Sequence, residues 1–309
     1  MKISFVNIIG EYLFEEKNGK LFLIDSREFS KKEQEELVTK GIDSIKKKFS
    51  GEEPTNDQLK KILQILKNDA KKFKDFDTKN TKKNIRESVS DDNLIIQTVG
   101  LIEDLEKVNN TLSKRLREWH SLYAPEISNK IGDNEGFSKA VSIKTKDELF
   151  SELKITESMG ASLKKSDVEE IIKLAKQVKE LFDEKKAKEK YLETLMKRHA
   201  PNVYEIVGTM IGSKLITFAG SVRQLSLMPA GTIQLLGAET ALFRHIKSGS
   251  KPPKHGFIIN HPIVTGVPRK DKGKAARALA DKISICAKVD YFKGEPIGET
   301  LKLELMKKF

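Results

Sequence analysis

The sequence predicts a mainly α protein: a small N-terminal α/β domain, a central antiparallel coiled-coil hairpin and a C-terminal helical domain. Three observations carry that prediction. Two β-rich runs flank Asn18-Gly19, apolar residues recur at heptad spacing from Ile95 to Tyr123 and again from Ile171 to Leu195, and the last third is rich in small and apolar residues at helical spacing. The boundaries fall at residues 1–86, 87–200 and 201–309.

The hairpin signal comes first. Ile3 to Phe14 and Leu21 to Ile24 are rich in Ile, Phe, Val and Leu, and Asn-Gly is the pair best able to take positive φ at both central positions of a tight turn. Two helices are expected next, one marked by Leu37, Val38, Ile42, Ile45 and Phe49, the other by Leu59, Ile62, Leu63, Leu66, Ala70 and Phe73. Asp75 to Asp92 has few large apolar residues and reads as linker or solvated helix start.

Ile95, Ile102, Asn109, Leu116 and Tyr123 then share one heptad position, and Thr98, Leu105, Leu112 and Trp119 the other. Pro125 ends that helix. Its partner opens at a capping box of Ser166 and Glu169 and runs through Ile171, Leu174, Val178 and Leu181 to Leu192 and Leu195, with Pro201 as its stop. Residues 126–165 lie at the far tip. Heptads of this kind fit an intramolecular pair and a homodimer equally well.

In the last third, Gly208 and Gly212 fall one turn apart on an expected helix, where tight packing is their predicted reason. Ala275, Ala276, Leu279, Ala280, Ile283, Cys286 and Ala287 give a later helix a small-residue face. Between these segments lies an excess of positive charge. Arg244, Lys247, Lys251, Lys254, Arg269, Lys270, Lys272, Lys274 and Arg277 face one acid, Asp271, on two helix ends and a loop stiffened by Pro252 and Pro253. Cations that avoid carboxylates mark a surface for polyanions, because each one placed on a phosphate releases counterions.

Composition agrees. The 309 residues carry a net charge of +12 and 38% hydrophobic side chains, which suits a soluble chain with real cores and an acidic partner. Cys286 is the only cysteine, so neither an intramolecular disulfide nor a thiol-rich metal site is expected, and a reducing, cytoplasmic location fits. No apolar stretch approaches the roughly 18 residues of a membrane span, and the N-terminus lacks a signal pattern, so the chain is expected to be neither exported nor inserted in a membrane.

The stretches Leu236-Gly-Ala-Glu239, Ala241-Leu-Phe-Arg-His245, Lys251-Pro-Pro-Lys-His-Gly256, His261-Pro262 and Gly273-Lys-Ala-Ala-Arg277 resemble, colinearly, the signature of the Nop domain of box C/D scaffold proteins, with the archaeal members most similar. Thr240 departs from it, where many members carry Lys. The resemblance implies a non-catalytic scaffold with no cofactor, working in RNA-guided 2′-O-ribose methylation. Its implied partners are a box C/D guide RNA, the methyltransferase fibrillarin on the N-terminal domain, a kink-turn-binding ribosomal-type protein, and a second copy through the coiled coil. Arg244, Lys247, Lys251, Lys254, His255, Arg269, Lys270, Lys274 and Arg277 are the candidate RNA contacts, with His255 suited to stacking on a base. Glu239 and His245 are the candidate partner-protein contacts.

Catalytic patterns are weak. His245, His255 and His261 lack nearby Cys and the spacing of a zinc motif, and Gly273-Lys274 lacks the second Gly and the Ser or Thr of a phosphate loop. The alternative to a scaffold is an RNA-modifying enzyme that uses Asp290 or Glu239 as base.

Overall fold

A computed structural model of the chain describes residues 1–42 and 48–309 and divides it into two compact units, Met1–Val89 and Ser90–Phe309. The first contains an antiparallel sheet of β1 (Lys2–Val6), β2 (Gly10–Lys17) and β3 (Lys20–Glu28), in that order. The run expected as one strand from Ile3 to Phe14 is thus two. The Asn7 side chain accepts from the N–H of Ile9 at 2.8 Å and of Gly10 at 3.0 Å, turning the chain back so that Ile3 stands opposite Phe14. The second turn is the expected one, with φ of 52° at Asn18 and 73° at Gly19.

Ser30 and Glu33 form a capping box at the start of α1 (Lys31–Lys40), which stops at Gly41. Phe49 therefore lies beyond α1 instead of on it, and Ile45 lies outside the described residues. The second expected helix is also divided, into α2 (Asn56–Ile65), a 3-10 turn (Leu66–Asp69) and α3 (Ala70–Glu87), so most of the stretch read as linker is helical. Ile3, Tyr12, Phe14, Leu21 and Ile62 form the core of this unit.

In the second unit α4 (Asp91–Ser121) and α8 (Lys165–His199) run antiparallel. Arg198 forks onto Asp91 at 2.6 and 3.0 Å at the base of the pair, and Lys185 meets Glu106 at 3.7 Å further along. Ile95, Ile102, Leu105, Asn109 and Leu116 are buried at the seam, as are Ile171, Val178, Leu192 and Leu195 opposite. The capping box at Ser166 is not formed. Lys164 is the N-cap, which puts Ser166 inside the first turn, where its side chain cannot reach back to cap.

Between the long helices, α5 (Pro125–Lys130), α6 (Asn134–Ile143) and α7 (Lys146–Leu153) build the tip. Arg117 organises it by donating to the Asn134 side chain at 2.8 Å and to the carbonyls of Ser128 and Gly132 at 2.8 and 2.9 Å.

The remaining helices are α9 (Pro201–Ala219), α10 (Val222–Leu227), α11 (Ala230–Leu235), α12 (Glu239–Ser248), α13 (Pro262–Thr265), α14 (Lys272–Phe292) and α15 (Gly298–Lys308). The expected small-residue face of α14 is wholly buried, and it shares one core with Ile95, Val99, Ile102, Leu192 and Leu195 at the hairpin base. The two α9 glycines differ in role. Gly212 is a close-packing site, where an added Cβ would lie 2.8 Å from the Met196 methyl. Gly208 instead has φ 74° and ψ 179°, a backbone break with open space around it, so the packing explanation fails there.

Candidate nucleic-acid interface

The site is built on the return from α11 to α14. Gly237 turns the chain into α12, and the Glu239 carboxylate accepts its N–H at 2.7 Å. At the far end of α12 the His245 ring donates from Nδ1 to the Ser250 carbonyl, which holds the loop 249–256 against the helix that precedes it. The loop is then pinned from the other side. Gln234 donates to the Lys254 carbonyl at 2.6 Å, Gly256 N–H donates to the Gln234 carbonyl at 2.7 Å, and Phe257 N–H to that of Leu236 at 2.7 Å. Gly256 has to be glycine for this approach, because a Cβ would collide with the Leu236 carbonyl oxygen. Phe257 packs on Phe218 with ring centres 6.1 Å apart, and the Lys214 ammonium lies 4.6 Å over its ring.

Pinning the loop creates a cleft of about 610 Å³ between α11, the loop and the first turn of α14. Lys254, Lys270, Lys274 and Arg277 line it together with Gly231, Gln234 and Gly273. Arg244 and Lys247 lie on α12, Lys251 and half-buried His255 on the loop and Arg269 before α14, none of them lining that cleft. All nine of the residues Arg244, Lys247, Lys251, Lys254, Arg269, Lys270, Lys272, Lys274 and Arg277 lack an ion pair among the described residues, whereas Lys214, Lys282 and Lys302 of the same unit each hold a carboxylate at 2.5 to 2.8 Å. The N-cap of α14, Asp271, makes no side-chain capping bond, so the helix presents amide N–H groups beside these cations. Such a set can hold several phosphates at once.

Two further residues escaped the sequence reading. Phe243 and Ile246, one turn apart on α12, are 67% and 71% exposed, between Arg244 and Lys247. Their helical spacing was legible, but an apolar pair is normally assigned to a core, and α12 buries no residue at all.

Of the carboxylates and imidazoles considered for catalysis, Asp290, Glu239, His245 and His261 are occupied. Asp290 accepts from Asn202 N–H and side-chain amide at 3.0 and 2.7 Å and from Val203 N–H at 2.9 Å, capping α9; burial raises its pKa and these bonds lower it, with burial the larger effect. His261 donates from Nε2 to the Ile206 carbonyl at 3.0 Å, two residues before the break at Gly208, and burial lowers its pKa. Among the described residues, no group of three or more His, Cys, Asp or Glu side chains is placed to hold a metal ion.

Residues 101–309 match the Nop family, described as snoRNA binding domain, fibrillarin. The chain is 40% identical over 255 residues to an uncharacterized NOP5 family protein of Methanocaldococcus jannaschii, a match covering 77% of this chain and 60% of that one. It is 35% identical to nucleolar protein 56 of Schizosaccharomyces pombe, over 69% of this chain and 48% of the relative. With nucleolar protein 58 of the same yeast it shares 38% identity, over 64% of this chain and 42% of the relative. The chain thus spans between 42% and 60% of the length of these relatives. A crystal structure of a fibrillarin/Nop5p complex contains a chain that aligns over 94% of this chain and 95% of its own length, at 23% identity and a TM-score of 0.46.

Proposed function

From the premise that the chain belongs to the Nop family, as a box C/D protein of the nucleolar protein 56 and 58 kind, we propose that it is a non-catalytic scaffold of a box C/D ribonucleoprotein. It bridges the methyltransferase fibrillarin to a guide RNA already held by a kink-turn-binding protein, for RNA-guided 2′-O-ribose methylation. The observation that carries this reading is the set of cations without carboxylate partners among the described residues, some lining the α14 cleft and others on α12 along with the exposed pair Phe243 and Ile246. Cations alone give affinity for any RNA, but a surface that adds apolar anchors suits a composite of RNA and protein, which only the correct particle presents.

Two partner assignments rest on exposed apolar groups. β3 is an edge of its sheet and leaves Phe22, Leu23 and Ile24 exposed, a surface suited to fibrillarin. On α4, Leu94, Leu101 and Val108 are exposed at seven-residue spacing, and Leu122 just past its end continues this second stripe beside the intramolecular seam, which suits a second copy.

A gel-shift series tests the composite reading. Kink-turn RNA preloaded with its small binding protein should be bound much more tightly than bare RNA. Equal affinity for the two would overturn the proposal.

A further inference from the structure

The hairpin tip holds a cavity of 140 Å³ between α4, α6, α7 and the start of α8. Buried Val141, Leu149 and Ile171 make its walls apolar. One buried polar side chain breaks that lining. His120 is 3% exposed, and its Nδ1 has no hydrogen-bond partner. A buried polar atom left this way costs stability that a ligand can recover by supplying the missing bond.

The surroundings narrow the ligand. Lys144 and Lys146 stand on the cavity's solvent side, but Lys144 is paired with Glu152, while Lys146 donates to the Tyr123 carbonyl at 3.0 Å and lies over the Tyr123 and Phe150 rings. Both ammonium groups are thus engaged, and the buried walls are apolar, which favours a neutral ligand over an ion. Its size follows from the volume, since an apolar protein cavity of about 150 Å³ takes up benzene. Its polar group follows from the imidazole, which burial keeps uncharged at neutral pH. A neutral ring nitrogen either donates or accepts, and a hydroxyl can answer both.

We infer that this cavity binds a small neutral aromatic ring bearing a hydroxyl, a phenol, with the ring against Val141, Leu149 and Ile171 and the hydroxyl on His120 Nδ1. The ring is either a free phenol or the side chain of a tyrosine presented by another protein. The inference is independent of the RNA-scaffold reading.

Calorimetric titration of the full chain with phenol, benzene and N-acetyltyrosinamide tests it. Phenol should saturate one site, with benzene on the order of tenfold weaker, the worth of one buried hydrogen bond. His120→Phe keeps a ring of similar shape and should remove the preference for phenol while leaving benzene binding in place, with unchanged circular dichroism as the check on folding. Binding of N-acetyltyrosinamide as tight as phenol assigns the site to a protein side chain, and binding of phenol alone assigns it to a free ring. Absence of saturable phenol binding, or a phenol preference that survives in His120→Phe, overturns the inference and returns the cavity to ordered water.

Discussion

Gly208 and Gly212 stand one turn apart and answer to different physics, so they separate under mutation. At Gly208 a side chain must adopt φ 74° and ψ 179°, a region essentially closed to other residues, and Gly208→Ala should cost about 1–3 kcal/mol. Gly212→Ala meets the mobile end of Met196, which can yield, so its cost should be the smaller of the two in urea melts. The histidines also separate, by sign. Burial drives the His120 pKa down from 6.5 to about 4, so the unfolded chain takes its proton first and stability is lost as pH falls from 6.5 toward 4, by as much as ~3 kcal/mol. The Asp92 carboxylate, 2.8 Å from His199, raises the His199 pKa, so that pair's contribution is full below 6.5 and lost as pH rises through the raised value. Urea midpoints measured between pH 7 and 5 should therefore fall less in His120→Phe than in the parent chain, and fall more in His199→Asn.

The hairpin as an element carries an unpaid polar group at its middle. Both amide atoms of Asn109 and the Ser113 hydroxyl are buried without a partner, and they sit on α4 between the core at the hairpin base and the separate core at the tip. Asn109→Leu should raise stability by about 1–2 kcal/mol, because the unsatisfied amide is removed and a group of similar volume fills its place. A lower denaturation midpoint would mean that ordered water already satisfies the amide. α12 behaves oppositely. Phe243→Glu and Ile246→Glu bury nothing and should leave the melting temperature unchanged while weakening assembly with the preloaded guide RNA, whereas Lys254→Ala and Lys274→Ala should each lower the salt slope of RNA binding by roughly one unit or less.

At the scale of the whole molecule the proposals concern mass and partners. Light scattering at micromolar concentration should return twice the 34.9 kDa of the chain, and Leu101→Lys with Val108→Lys, which alter exposed positions and not the intramolecular seam, should return it to one copy. A dimer that survives those changes would move the contact elsewhere, to the tip where Ile143 and Met159 are exposed. The unit Met1–Val89 has its own core, so a fragment of that length should fold, retain fibrillarin in a pull-down and lose RNA.

Periodicity is local, and what depends on it was legible from the sequence: the Asn18-Gly19 turn, the long helices, the seam positions from Ile95 to Leu116 and the buried face of α14. The cations were legible as types, since a run short of carboxylates is visible in any order of folding. Contacts between distant residues decided the rest. Lys254 and Lys274 share a cleft because Gln234 and Leu236 pin the loop, and those bonds join backbone segments some twenty residues apart that no spacing rule connects. Likewise Gly208 was read as packing because a glycine on an apolar helix permits either close approach or positive φ, and only the surrounding space distinguishes the two. Phe243 and Ile246 were not singled out from the sequence for a similar reason: sequence sets which residues share a helix face, but exposure depends on whether another element covers that face, and among the described residues none does.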